Sequence, residues 1–314
     1  MENLIFSLNA TIPVFMMIIL GMILRRIGWI DQQFASKMNK FVFLVPLPVL
    51  VFEDLATIDF EKVWDSRFVL FCFFVTLVSI MIVIIISFFI KKKNIQGEFI
   101  QASYRNSAAL LGIALIQNIY GHATMAPLMI IGSVPMYNIM AVIVLSLFSS
   151  KRDNLNKKVW INTLKGIVTN PILIGIVVGL MWSLLKLPMP SILSKTVSSI
   201  GNIATPMGLM AMGATFDFKA ALGEIKLSIL ATFIKLFGFC MVFLPLAIQF
   251  CFVNEQLIAI LVMLGSATTV SCFVMAKNMG HDGTLTSTVV MMTTILSAFS
   301  ITMWLYILKM FQLI

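Results

Sequence analysis

Between Arg67 and Lys91 the chain runs through residues 68–90 without a single charged side chain. Crossing the hydrocarbon core of a bilayer takes about 20 mostly apolar residues in a helix. An unpaired backbone N–H or C=O in that core costs several kcal/mol, and a helix pairs its own. Nine further stretches obey the same rule: 4–24, 34–55, 99–120, 124–149, 167–185, 192–216, 225–252, 256–277 and 284–311. The chain is 60% hydrophobic and 11% charged, where soluble domains carry about 25% charged residues. The expected fold class is an all-α polytopic membrane protein of ten transmembrane helices. The first apolar run has no basic segment before it and no small-residue cleavage site after it, so it is expected to be a retained span.

A net charge of +9 would suit a nucleic-acid partner, but the basic residues lie in short loops between apolar runs. With the N-terminus outside, sixteen Lys and Arg fall in inside loops, five fall outside, and Lys235 lies within a span. Cytoplasmic loops carry such an excess, so both termini are expected to be extracellular and no nucleic acid is expected. This assignment counts Arg105 as an inside-loop charge and puts Glu53 and Asp54 at an outside end. Cys72, Cys240, Cys251 and Cys272 form no Cys-x-x-Cys pair and are expected to be buried, inert thiols.

The two halves repeat. Pro13 and Pro171 each stand eight residues before a glycine, Gly21 and Gly179, at an offset of 158; Pro46 and Pro206 match at 160. Residues 106–121 and 265–280 match at 159 and share Ser107/Ser266, Ala108/Ala267 and Gly121/Gly280. Five spans per half is odd, so the second copy enters the membrane from the opposite face, a 5+5 inverted repeat. The expected division is 1–149, a cytoplasmic connecting loop at 150–165, and 166–314.

Short, polar-interrupted spans at matching places in two such halves point to a transporter's binding site. The fourth and ninth helices are expected to cross near the midplane and to break at about 111–114 and 268–272. Half-helix N-termini then aim partial positive charge into one cavity, which suits a carboxylate. The substrate-binding candidates are Asn106, Ser107 and Gly112 from the first arm, Tyr137 and Asn138 from the fifth span, and Ser266, Thr268, Thr269 and Ser271 from the second arm. Amide and hydroxyl donors can hold a carboxylate, and the same side chains can instead bond helix to helix. Lys235 and Lys277 are the charge or coupling candidates. Lys235 is close enough to a face to snorkel, and Lys277 reads as an interface anchor. His122 and His281 read as exposed turn residues. No Asp or Glu falls at mid-membrane. Gly175 and Gly179 form a GxxxG pair that reads as helix packing within one protomer. No metalloprotease, nucleophile-elbow, P-loop or dinucleotide motif occurs, so no enzyme, cofactor or metal is expected.

Residues 41–48 (FVFLVPLP), 106–121, 135–142 (PMYNIMAV), 170–180 (NPILIGIVVGL), 206–216 (PMGLMAMGATF) and 273–280 (FVMAKNMG) resemble the auxin efflux carrier family, which holds plant PIN carriers and bacterial malonate or malate permeases. The resemblance covers nearly the whole chain. It implies a scaffold domain, a transport domain with crossed, broken helices 4 and 9, organic-anion substrates, elevator-like movement and often a homodimer. Asn106 matches a family asparagine beside the crossover, and Tyr137 and Asn138 match polar substrate-side positions. The family usually carries a proline at each crossover; Ala114 and Ala267 stand there in this chain. The expected function is a secondary transporter or permease for small organic anions, mono- or dicarboxylates, in a plasma membrane, by efflux or exchange, with H+ or Na+ as the candidate coupling ion. A non-transporting membrane sensor on the same scaffold is the alternative.

Overall fold

The computed structural model describes residues 2–57, 65–107, 113–121, 123–148 and 168–314, with backbone alone at 2–11, 113, 114 and 118. The expected connecting loop, the expected break at 111–112, Gly112 and His122 lie outside the described residues. The protein is all-helical, 81% helix with no strand among the described residues. In chain order the helices are α1 (Glu2–Arg26), α2 (Gln32–Leu44), α3 (Pro46–Ala56), α4 (Ser66–Ser87), α5 (Gln96–Tyr104), α6 (Ile113–Tyr120), α7 (Ala126–Leu147), α8 (Pro171–Leu184), α9 (Ser191–Gly201), α10 (Ala204–Thr215), α11 (Phe218–Gly223), α12 (Ile225–Phe233), α13 (Phe239–Gln249), α14 (Asn254–Gly265), α15 (Val270–Asn278) and α16 (Thr284–Met310). A π-helical turn, Ile234–Gly238, joins α12 to α13.

Six helical runs are long and apolar enough to cross a membrane: 32–56, 66–87, 126–147, 225–249, 254–278 and 284–310. The remaining stretches expected from sequence fall on α1, α5 with α6, α8, and α9 with α10. Asp31, Asp65, Asn170 and Asp217 cap the N-termini of α2, α4, α8 and α11 by accepting backbone N–H bonds, which satisfies donors a helix leaves free. Pro46 and Pro171 open α3 and α8, where the missing N–H is harmless. Large apolar side chains stay exposed on α4 (Phe74, Val78, Met81, Ile85) and on α8 (Val177, Val178, Met181, Leu184). Water would not tolerate such faces, and lipid does.

Two close helix pairs set the frame. α1 packs on α10, where a Cβ added to Gly21 would strike Met210 O and one added to Gly213 would strike Ile18 O. α3 packs on α8, where Cβ atoms on Gly175 and Gly179 would meet Pro48 O at 2.5 Å and Phe52 O at 2.9 Å. The GxxxG pair thus works inside the protomer. Of the cysteines, Cys72, Cys240 and Cys272 are buried, but Cys251 is exposed, because the chain turns at the end of α13.

α5 and α14 lie at the centre. Every residue of α5 is buried, as is every residue of α14 from Leu257 to Gly265. From Leu257 on, α14 is apolar all round, as a helix inside a bundle is, whereas α5 buries Gln96, Glu98, Gln101 and Ser103 as well. A carboxylate in the first turn of each ties it to a neighbour. Glu98 of α5 accepts N–H bonds from Gly283 (2.8 Å) and Thr286 (3.1 Å), capping α16. Glu255 of α14 accepts from Met125 N (2.7 Å), capping α7.

Candidate functional site

Both central helices stop inside the bundle. α5 ends at Tyr104, and Arg105 continues with extended backbone. α14 ends at Gly265; Ser266 and Thr269 are extended, and α15 begins at Val270. The non-helical stretch in this run is 266–269, earlier than the expected 268–272. In the first arm residues 105–107 are non-helical, residues 108–112 are outside the described set, and Ala114 lies within α6.

The two non-helical stretches pair with each other. Ser107 N donates to Ala267 O (3.0 Å), Thr268 Oγ1 to Ala102 O (2.8 Å) and Gln101 Nε2 to Cys272 O (2.9 Å). Backbone groups released where a helix stops are affordable at this depth only if protein supplies partners, and here each arm supplies the other's. Thr268 N finds Thr293 Oγ1 of α16 at 3.0 Å.

The carbonyls at the end of α14 have a further partner. Lys235 Nζ donates to Leu264 O at 2.6 Å and to Met263 O at 3.4 Å. Its ammonium sits where the helix macrodipole is negative. Lys235 is 0% exposed, so the snorkelling expectation is overturned: the π turn at 234–238 aims the side chain inward at α14. The carbonyl of Leu236 in that turn is taken by Trp304 Nε1 at 3.1 Å.

A cavity of about 190 Å³ opens beside the crossing. It is lined by Arg105, Asn106 and Ser107, with Val134, Tyr137 and Asn138 of α7 and Thr269, Val270 and Ser271 at the start of α15. Its lining also takes Leu47, Leu50, Val51 and Asp54 of α3, with Ile172 of α8 and Thr205 of α10. Drug-sized pockets run to about 300–1,000 Å³, so this one is sized for a small metabolite. Six of the residues expected from sequence, Asn106, Ser107, Tyr137, Asn138, Thr269 and Ser271, are brought together here. Ser266 and Thr268 are buried in the crossing itself and do not line the cavity. Lys235 does not line it, and Lys277 is half-buried in the last turn of α15.

The dominant group is one that sequence reasoning placed elsewhere. Arg105 is 2% exposed and is no inside-loop charge. Its Nη2 donates to Asn138 Oδ1 (2.7 Å) and Ser271 Oγ (2.9 Å), and its Nη1 to Met275 Sδ. The guanidinium lies over the Tyr137 ring, 5.3 Å from its centroid. Asn138 Nδ2 donates to Val134 O (3.0 Å), which turns the amide oxygen toward Arg105. Arg105 Nε is buried without a hydrogen-bond partner, and among the described residues no carboxylate forms an ion pair with this side chain. A buried cation whose hydrogen bonds all go to neutral groups lacks a directly bonded counter-charge. Asp54, in the last turn of α3, also lines the cavity, a role the sequence reading did not give it. His281, expected to be exposed, is 6% exposed and its Nε2 lies 3.0 Å from Leu145 O, because the turn after α15 folds back against α7.

No group of His, Cys, Asp and Glu able to hold a metal occurs among the described residues. No curated protein matches the chain. A family described as membrane transport protein, the auxin efflux carrier family, matches residues 6–305. Transporters of this family are not a class of enzyme. With nearly its whole length matched, this multi-pass membrane chain belongs to the auxin efflux carrier family of membrane transport proteins.

Proposed function

We propose that the protein is a secondary transporter for a small organic anion, a mono- or dicarboxylate, with its site in the cavity beside the crossing. The observation that carries this reading is Arg105: a buried guanidinium with no carboxylate ion pair among the described residues, lining a small cavity with hydroxyls around it. The N-terminus of α15 adds partial positive charge at Thr269–Ser271. An incoming carboxylate would give Arg105 a directly bonded counter-charge and find hydroxyl donors at Ser107, Thr269 and Ser271.

The mechanism we propose is elevator-type alternating access in a ten-span, 5+5 inverted repeat, with both termini outside a plasma membrane. Several contacts support the repeat. Glu98 and Glu255 occupy matching places in the two halves and cap matching helices, α16 and α7. α1 packs on α10 as α8 packs on α3, first span of one half on second span of the other. The cavity lies between the group α3, α8 and α10 and the group α5, α7 and α15, where sliding of one against the other would change its access. The sensor alternative draws on the alanines at the crossover positions. Ala267 is non-helical even without proline, which favours the transporter. The test is uptake of labelled malate, malonate and indole-3-acetate into proteoliposomes, with and without imposed pH and Na+ gradients. Gradient-dependent flux of at least one is expected; retained binding with no flux of any overturns the transporter in favour of the sensor.

A further inference from the structure

Asp54 has no role in the reading above, yet it shares the cavity with Arg105. Asp54 is on α3 and Arg105 follows the end of α5, both line the cavity, and they form no ion pair. With both ionised, the empty cavity is close to neutral. A bound carboxylate then makes the site net negative, with two anions competing for one guanidinium. Like charges that share a small cavity of low effective dielectric repel, and such a site relieves that by binding a proton.

We infer that Asp54 is a built-in competitor for Arg105, so that a carboxylate binds the cavity together with a proton taken up by Asp54. This rests on the cavity being the anion site. The proton comes from water and ends on Asp54 Oδ, and the substrate carboxylate takes the place opposite Arg105; no other bond is made or broken. Other charged groups on the elements around α3 do not supply the compensation. Glu53 accepts the Ser198 hydroxyl of α9. Lys195 of α9 is exposed, as are Lys37 and Lys40 of α2. α8 and α10 carry no titratable side chain, and α7 presents only Tyr137, whose ring lies against Arg105. Asp54 is the acidic group lining the cavity. Linkage is reciprocal: what makes the anion raise proton affinity makes the proton raise anion affinity by the same factor. The face of the membrane at lower pH therefore loads the site more readily.

The test is calorimetric titration of the purified full chain with malonate, above about pH 7 where malonate holds no proton of its own, in buffers of differing ionisation enthalpy. The wild-type protein should take up close to one proton per malonate, and its apparent Kd should rise about tenfold per pH unit where Asp54 is ionised in the empty site. Asp54→Asn should bind with almost no proton uptake and a flat pH dependence, at least as tightly as wild type at the highest pH. Asp54→Ser, with a melting curve for each variant, provides the same comparison if the asparagine does not fold. Undiminished proton uptake in both variants overturns the role of Asp54 and leaves the anion site standing. Absence of binding of malonate, acetate and indole-3-acetate to wild type overturns the site itself, and this inference with it.

Discussion

Arg105 decides what the cavity can hold. Its charge is fixed, its head is a planar fork, and its partners Asn138, Ser271 and Met275 are neutral. Hydrogen bonds to a charged group contribute about 1.5–3 kcal/mol, so Arg105→Gln should weaken carboxylate binding by about ten- to a hundredfold. Arg105→Lys should recover only part of that loss, because an ammonium keeps the charge but not the fork. Calorimetry with malonate, alongside melting curves, measures both; equal affinity in Arg105→Gln would remove the residue from the site. The neighbours of Arg105 were legible in the sequence, since Asn106, Ser107, Thr269 and Ser271 are polar residues within apolar runs that repeat. Arg105 was not, because an arginine bordering an apolar run looks the same whether it faces cytoplasm or a cavity. Only the termination of α5 at Tyr104, which follows from tertiary bonds to 267–272, brings it inside. Asp54 was hidden for a related reason: hydropathy locates the end of a span but not the direction its last turn faces.

At the scale of elements, the site depends on helices that stop where they do. Lys235 holds the end of α14 through the carbonyls of Met263 and Leu264. Lys235→Met, similar in shape, would leave those acceptors buried without their donor, at about 1–3 kcal/mol for an unsatisfied group. The expected outcome is a lower melting temperature with faster amide exchange concentrated at 262–272. Unchanged exchange there would mean the lysine does not fix the stop. A second prediction concerns the frame. Gly213→Leu places a branched side chain against Ile18 O, so α1 must move off α10. Overpacking of this kind costs about 1–3 kcal/mol, read as a fall in melting temperature, whereas the same change at Gly223, where nothing lies within 4 Å of a Cβ, should have little effect. From sequence an interruption is expected at 268–272, and the non-helical residues between α14 and α15 are 266–269. The sequence could not set the register, because alanine at 267 gives no local signal and the partner strand of the crossing lies 160 residues away (Ser107 to Ala267).

Across the whole molecule, an offset of 158–160 between matching prolines and glycines is readable in the sequence, and the contacts that accompany the proposed repeat are not. Glu98 and Glu255 are 157 apart, one short of that offset, and cap α16 and α7 in turn; matched acidic residues at the heads of two apolar runs are a signal that could have been found. Membership in a membrane transport family and a small cavity lined by a buried guanidinium support the proposal that this chain moves a small carboxylate through the Arg105 cavity. The direct measurement is uptake of labelled malonate, malate or indole-3-acetate into proteoliposomes by wild type and by Arg105→Gln, at equal reconstituted protein. The account predicts saturable flux of at least one of these anions in wild type and a loss of ten-fold or more at subsaturating substrate in the variant. Flux that is the same in both proteins, or no flux of any of the three in wild type under any imposed gradient, would contradict it.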